Sequence, residues 1–216
     1  MTHYSSNEYQ ELWSSSKYPP SLYRIFGYIL SKYAGSFNPA KNIIETYVRN
    51  PEIFSDKMKI HNIKKVCHDL LEETALNNDL IHKTEIDEFN EITKEIFISN
   101  NICNYLQAIN FNDEIELFTS CKRTSDTYLL SLNQRLEFII GVYLNHAYDK
   151  TKLVFYNNYF KMAMTHRFMI ELADEDDIIT TISEFKTPHS HIIEINENGQ
   201  LWTTMQMLMK KYGYKL

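Results

Sequence analysis

The sequence predicts a mainly helical α+β protein: a helical bundle-like domain with a few short strands in its C-terminal third. The first observation behind this prediction is that 216 residues contain only five glycines and five prolines, where average usage gives about 15 and 11. Glycine supplies positive φ angles and proline stops helices, so a chain with few of either can form long helices. The second observation is that apolar residues recur at spacings of three and four over most of the chain.

The helices of the first half follow from these spacings. Pro20 suits a helix start, and the apolar residues from Leu22 to Tyr33 form one helical face that ends at Gly35. The same pattern predicts further helices over residues 39–49, 60–81, 84–96 and 101–109.

In the second half the clearest helix covers residues 129–147, with apolar residues on more than one side. Strands are predicted over Lys152–Tyr156 and Ser190–Ile195, and a short one near 111–121. Helices are predicted over 159–173, from the acids at 174–177 to about 185, and over 201–212. No internal repeat is visible. The chain is predicted to be a single domain over 1–216, or to divide into a helical part, 20–109, and a mixed part, 110–216.

Composition limits the function classes. Hydrophobic residues make up 44% of the chain, which is enough for a core, and the formal net charge is −6. Both halves carry 14 acids and 11 bases, and the absence of a basic half argues against direct nucleic-acid binding. Three widely spaced cysteines form neither a disulfide framework nor a CxxC pair. With no secretory pattern and no apolar run of membrane-spanning length, a cytoplasmic location without membrane contact is predicted.

The feature that weighs most is an excess of acids between Asp69 and Glu95. Nine acids are opposed by two lysines over these 27 residues. On two amphipathic helices they would form a negative surface that attracts a basic partner, although an ordinary solvated face is the alternative. The residues predicted to contact the partner are Glu72, Glu73, Glu85, Glu88 and Glu91, together with Tyr23 from the tyrosine-rich N-terminal region, because tyrosine is enriched in protein interfaces.

Several candidates for catalysis or metal binding are weaker. His189 and His191 would point the same way on a strand and could share a metal ion, but no third ligand is identified. The four acids at 174–177 resemble a magnesium-binding cluster, but four consecutive acids cannot all converge on one ion, and acids at a helix start explain them better. Cys67 and His68 diverge on a helix, and no GxSxG motif marks a nucleophile. We therefore assign no cofactor and no catalytic residue.

Three hypotheses follow. The first is a non-enzymatic cytoplasmic protein-binding protein, such as an immunity protein that neutralises a basic toxin. The second is an accessory subunit of a bacterial defence or DNA-processing complex. The third is a metal-dependent hydrolase that uses His189 and His191.

Overall fold

The structure is a computed structural model of the chain. It describes residues 19–29, 37–38, 43–47, 54–86, 88, 92–108, 132–156, 159–173, 178–183 and 190–215. Within these ranges no helix is long and apolar enough to cross a membrane.

Among the described residues, the first half contains three helices and a four-stranded antiparallel sheet. Its elements are α1 (Pro20–Ile29), β1 (Phe37–Asn38), β2 (Ile43–Tyr47), α2 (Phe54–Glu73), β3 (Ile81–Ile86), β4 (Ile92–Ile98) and α3 (Asn100–Ala108). The strand order is β1-β2-β4-β3, so β4 pairs with both β2 and β3. We call this sheet the first sheet.

The second half repeats this arrangement. Its elements are α4 (Leu132–His146), β5 (Lys152–Tyr156), α5 (Tyr159–Leu172), β6 (Ile178–Ser183), β7 (Ser190–Ile195) and α6 (Gln200–Lys211). Its three strands form the second sheet, in the order β5-β7-β6, and all pairs are antiparallel. Apart from the two-residue strand β1, both halves thus run helix, strand, helix, two strands, helix, and the order β2-β4-β3 corresponds to β5-β7-β6.

One hydrophobic core joins the two halves. Leu22, Ile63 and Phe97 from the first half belong to the same cluster of buried side chains as Phe138, Phe155 and Trp202 from the second. The largest helix contact is between α1 and α4, the first helix of each half. The halves therefore share a core, as a single folding unit would.

The predicted mainly helical α+β class is confirmed, and most predicted helices are present. β5 and β7 have the predicted bounds, and α5 agrees with its prediction to within one residue. The strands are not confined to the C-terminal third, however, because β1 to β4 lie between residues 37 and 98. The predicted strand near 111–121 lies outside the described residues.

Three predicted helices are replaced by strands, at residues 39–49, 84–96 and 178–185. Each region is rich in isoleucine and threonine, which are stiff at χ1 and favour strands. Their apolar residues also happen to fall three or four positions apart, which mimics a helical face. The residue types were the better guide here than the spacing.

Candidate functional site

The centre of the molecule is the contact between α1 and α4, which is made by two glycines. A Cβ atom at Gly27 would lie 2.0 Å from the carbonyl oxygen of Phe138, and one at Gly141 would lie 2.0 Å from that of Arg24. Phe138 is three residues before Gly141, and Arg24 is three residues before Gly27. The two helices therefore contact each other in the same way in both directions, which is the property of a two-fold axis.

The C-terminal ends of the two central helices lie together. The Asn145 side-chain amide donates a hydrogen bond of 2.7 Å to the carbonyl oxygen of Tyr28, in the last turn of α1. The next residue, His146, stacks on Phe155 of β5, with ring centroids 4.6 Å apart. Its Nδ1 atom lies 3.1 Å from the carbonyl oxygen of Val154. This end of the helix pair is thus fixed to the second sheet. Carbonyl groups at helix C-termini lack partners within the helix, so such an end favours positive charge.

A charged network lies nearer the N-terminal ends of the same helices. The Arg24 side chain is completely buried, and its guanidinium contacts Glu137 at 2.7 Å, Glu73 at 3.2 Å and Asp69 at 3.4 Å. It also lies 4.2 Å from the ring centre of Tyr212. A buried charge needs such partners, because removal from water costs several kcal/mol per ion.

Two tyrosines from the C-terminal end complete this network. The Tyr212 hydroxyl donates to Glu137 at 2.6 Å, and the Tyr214 hydroxyl donates to Asp69 at 2.5 Å. Burial raises the pKa of Glu137, against the opposing effects of Arg24 and Tyr212. Burial, together with Glu137, raises the pKa of Tyr212, so this hydroxyl keeps its proton. The network ties α1, α2, α4 and the C-terminal residues together.

The predicted partner-binding glutamates do not lie on a pair of helices. Glu72 and Glu73 are at the end of α2, whereas Glu85 is on β3 and Glu88 is in the connection to β4. Glu91 lies outside the described residues. The Glu73 carboxylate accepts hydrogen bonds from Ser21, at 2.6 Å from its hydroxyl, and pairs with Arg24. Its charge is therefore paired with Arg24, although Glu73 itself is exposed. The helical hairpin on which the acidic surface depended is absent from this region, and a partner-binding role for these residues stays a prediction.

Tyr23, the sixth predicted contact residue, is 5% exposed and belongs to the core. Its hydroxyl accepts a hydrogen bond of 2.8 Å from the Gln134 side chain of α4. This position contributes to the contact between the two halves.

The weaker candidates are placed as follows. His191 lies on β7 opposite Phe155, the residue on which His146 stacks, so the structure brings His191 and His146 to the same part of the second sheet. His189 and the acids at 174–177 lie outside the described residues. Within the described ranges, no group of three or more His, Cys, Asp or Glu residues could hold a metal ion. Cys67 is buried and free, and burial raises its pKa to about 12, which makes it a poor nucleophile.

A basic surface that sequence reasoning missed lies on α2 and the C-terminal residues. Lys64 and Lys65 of α2, with His61 and His68, occupy positions i, i+3, i+4 and i+7, which is one helical face. The C-terminal residues add three further lysines; the set is Lys64, Lys65, Lys210, Lys211 and Lys215. The sequence does hold a signal, because residues 57–68 and 198–216 contain seven lysines and no acid.

Similarity to known proteins is found among solved structures alone. No family model and no curated protein matches the chain. Among solved structures, mesophilic variants of the homing endonuclease I-DmoI match 91% of this chain and 97% of theirs, at 10% identity and a TM-score of 0.48. I-DmoI in complex with DNA and Ca matches 82% of both chains, at 13% identity and a TM-score of 0.47. At these identities the likeness concerns the fold.

These matches contradict the first hypothesis. The prediction of a non-enzymatic immunity or inhibitor protein is wrong, because the fold it has resembles that of an endonuclease. A basic protein partner was predicted, and direct nucleic-acid binding was argued against. The same finding contradicts both predictions, since I-DmoI is also seen with its target DNA. The physical reason is that net composition hides how charge is distributed. Asp69 of the acidic stretch is buried beside Arg24, while lysines are grouped at residues 57–68 and 198–216.

Proposed function

We propose that this chain is a DNA-binding protein whose two halves contact successive segments of one duplex through their sheets. Of the three hypotheses, this agrees best with the second, a subunit of a DNA-processing complex. The observation that supports it most is the repeated architecture, with reciprocal contact of Gly27 and Gly141 at its centre.

A two-fold arrangement suits duplex DNA because each duplex has local two-fold axes across its paired strands. Proteins with two equivalent halves bind two half-sites in inverted orientation. Antiparallel strands can enter the major groove, where each base pair presents a distinct set of hydrogen-bonding groups. The two sheets here have the same strand order and belong to the two halves, so each is available to one half-site.

Both sheets carry polar side chains that hydrogen-bond readily. On β3, the consecutive residues His82, Lys83, Thr84 and Glu85 are all exposed. On the second sheet, Lys152 of β5 and Glu194 of β7 lie opposite each other and are 40% and 44% exposed. Lysine donates to guanine and carboxylates accept from cytosine, so these residue types can read base edges.

We also propose a reducing, cytoplasmic compartment. Cys67 is buried and free within the described part of the chain. Free thiols of this kind are usual where glutathione keeps cysteines reduced.

Selection from a library of random duplexes tests the proposed function. We expect an enriched sequence with two half-sites in approximate inverted order. Each of Lys83→Ala, on the first sheet, and Lys152→Ala, on the second, should relax the preference within one half-site. A lost base contact weakens binding by roughly 10- to 100-fold, measured by fluorescence anisotropy on the enriched duplex.

Arg167→Ala is the matched control, because Arg167 is an exposed cation, 69% accessible, on α5 rather than on a strand. It should bind the enriched duplex as the wild type does. Absence of any enriched sequence, or wild-type discrimination by both strand variants, would overturn the proposal. Incubation of the enriched duplex with Mg²⁺ in the same series also shows whether binding is followed by cleavage.

A further inference from the structure

We propose that the basic surface formed by Lys64, Lys65, Lys210, Lys211 and Lys215 binds the phosphate backbone of nucleic acid. This contact is separate from the strand residues of the proposed function and does not depend on them. It would supply affinity that is independent of sequence, since phosphate contacts position a protein without reading bases.

The surface is held in place by direct contacts between its two parts. The Asn62 side chain donates to the carbonyl oxygen of Lys215 and accepts from its amide, both at 3.1 Å. The Tyr214 hydroxyl bonds to Asp69, also on α2. The C-terminal residues are therefore fixed along α2, and the exposed side chain of Lys215 is kept beside those of α2.

Lys65 lies at the junction of the two parts. Its ammonium is 2.8 Å from Asp69 and 5.9 Å from the ring centre of Tyr214, and a Cβ atom at Gly213 would lie 3.3 Å from its Cε. The chain that carries Lys210, Lys211 and Lys215 therefore passes next to Lys65.

The two histidines on the same face respond to these charges. Burial first, and then Lys215, Lys65 and Lys64, lower the pKa of His61. Burial first, and then Lys64 and Lys65, lower the pKa of His68, while Asp69 acts in the opposite direction. Both effects indicate positive potential on this face of α2.

Asp69 pairs with Lys65, so the net positive charge of this surface comes mainly from the other four lysines. Asp69 is the acid in contact with Lys65, and it is 9% exposed, with its other oxygen shared by Arg24 and Tyr214. Residues 57–68 and 198–216 contain no acid, so their seven lysines leave the rest of a chain of net charge −6 with −13. Charge is thus segregated along the sequence, and a surface built from these two stretches attracts a polyanion.

The lysine content favours a phosphate backbone over an acidic protein. Lysine is depleted in protein interfaces, which depend on buried aromatic anchors. Phosphate contacts, in contrast, are commonly made by lysine and release counterions, so affinity falls steeply with salt. Of the exposed large hydrophobic residues in the described part of the chain, only Met207 lies close in sequence to these lysines.

The test measures how binding of a labelled random-sequence duplex depends on salt. Each lysine that contacts a phosphate contributes about 0.9 to the slope of log K against log salt concentration. We expect the combined variant Lys64→Gln, Lys210→Gln, Lys211→Gln and Lys215→Gln to lose about two or more from this slope and to bind more than about tenfold more weakly at moderate salt. Lys65 is left unchanged because it contacts Asp69. Arg167→Gln, with one exposed cation removed elsewhere, is the control and should keep the slope to within one contact.

An unchanged slope in the combined variant, with its melting temperature also unchanged, overturns the inference. Tighter binding of poly-glutamate than of duplex at equal salt also overturns it, because it indicates an acidic protein partner. The proposed function can be contradicted independently of the basic surface. A reduced slope for the lysine variant together with unaltered selectivity of Lys83→Ala and Lys152→Ala supports the basic surface and contradicts recognition by the sheets.

Discussion

At the scale of single residues, the two glycines of the central helices have a role that spacing alone could not reveal. The sequence shows Gly27 and Gly141 inside helical patterns, where glycine costs about 1 kcal/mol relative to alanine. In the structure each approaches a carbonyl oxygen of the other helix so closely that no side chain fits. The helices are held at backbone contact, and the cost in helix propensity is offset by that close packing.

We therefore expect Gly27→Ala to destabilise the protein by at least about 2 kcal/mol, since overpacking forces the backbones apart. Denaturant unfolding gives the free energy of unfolding. Gly213→Ala is the comparison, because Gly213 has φ of +77° but its added Cβ would meet only the flexible Lys65 side chain. It should cost about 1 kcal/mol through backbone strain alone. Equal losses in the two variants would contradict close packing at Gly27.

The burial and ion pairing of Arg24 could not be predicted from the sequence. Its position in the apolar pattern of α1 gave no indication of burial, and its partners Asp69, Glu73 and Glu137 are 45, 49 and 113 residues away. Asp69 was counted as a surface acid although it is buried, because burial depends on which helices meet. Without the tertiary structure, a buried ion pair and a solvated charge look alike.

At the scale of elements, prediction succeeded where residue type and spacing agreed. α4, α5 and α6 have apolar faces and few β-branched residues, while β5 and β7 are short β-branched or aromatic runs. Prediction failed at β2, β3, β4 and β6, where isoleucine and threonine favoured strands against a helical spacing. The basic surface was missed because its two parts are more than 100 residues apart in sequence.

The contact between α2 and the C-terminal residues leads to a prediction about the pKa of His61. Burial and the charges of Lys215, Lys65 and Lys64 lower its pKa from the ordinary histidine value of 6.5. A positive neighbour disfavours the protonated imidazole, so Lys215→Gln should raise the pKa of His61 towards that value. Titration by NMR follows the ring protons directly.

Lys150→Gln is the control for this titration, because Lys150 is 64% exposed and pairs with Glu197 away from α2. It should leave the pKa of His61 unchanged. If Lys215→Gln also has no effect, the C-terminal residues do not lie along α2 in solution, and the basic surface loses one of its parts.

At the scale of the whole molecule, two similar halves share one core. The repeat was invisible in the sequence because it consists of element order and strand connectivity, which different residues can produce. A repeat of this kind often implies two independent units, but here buried side chains of both halves form a single cluster around α1 and α4. The physical consequence is cooperative unfolding rather than separate melting of each half.

Hydrogen exchange with a core variant tests this coupling. Phe155 of β5 is fully buried, and Phe155→Ala should cost about 3–5 kcal/mol. If the halves unfold together, the most protected amides of β4, in the other half, should lose the same free energy of exchange as those of β7. Tyr148→Ser, at an exposed position in the connection before β5, should leave both strands unchanged. A loss of exchange free energy confined to β7 would show that each half unfolds by itself. Recognition of two half-sites by both halves would then require the DNA to fix their relative position.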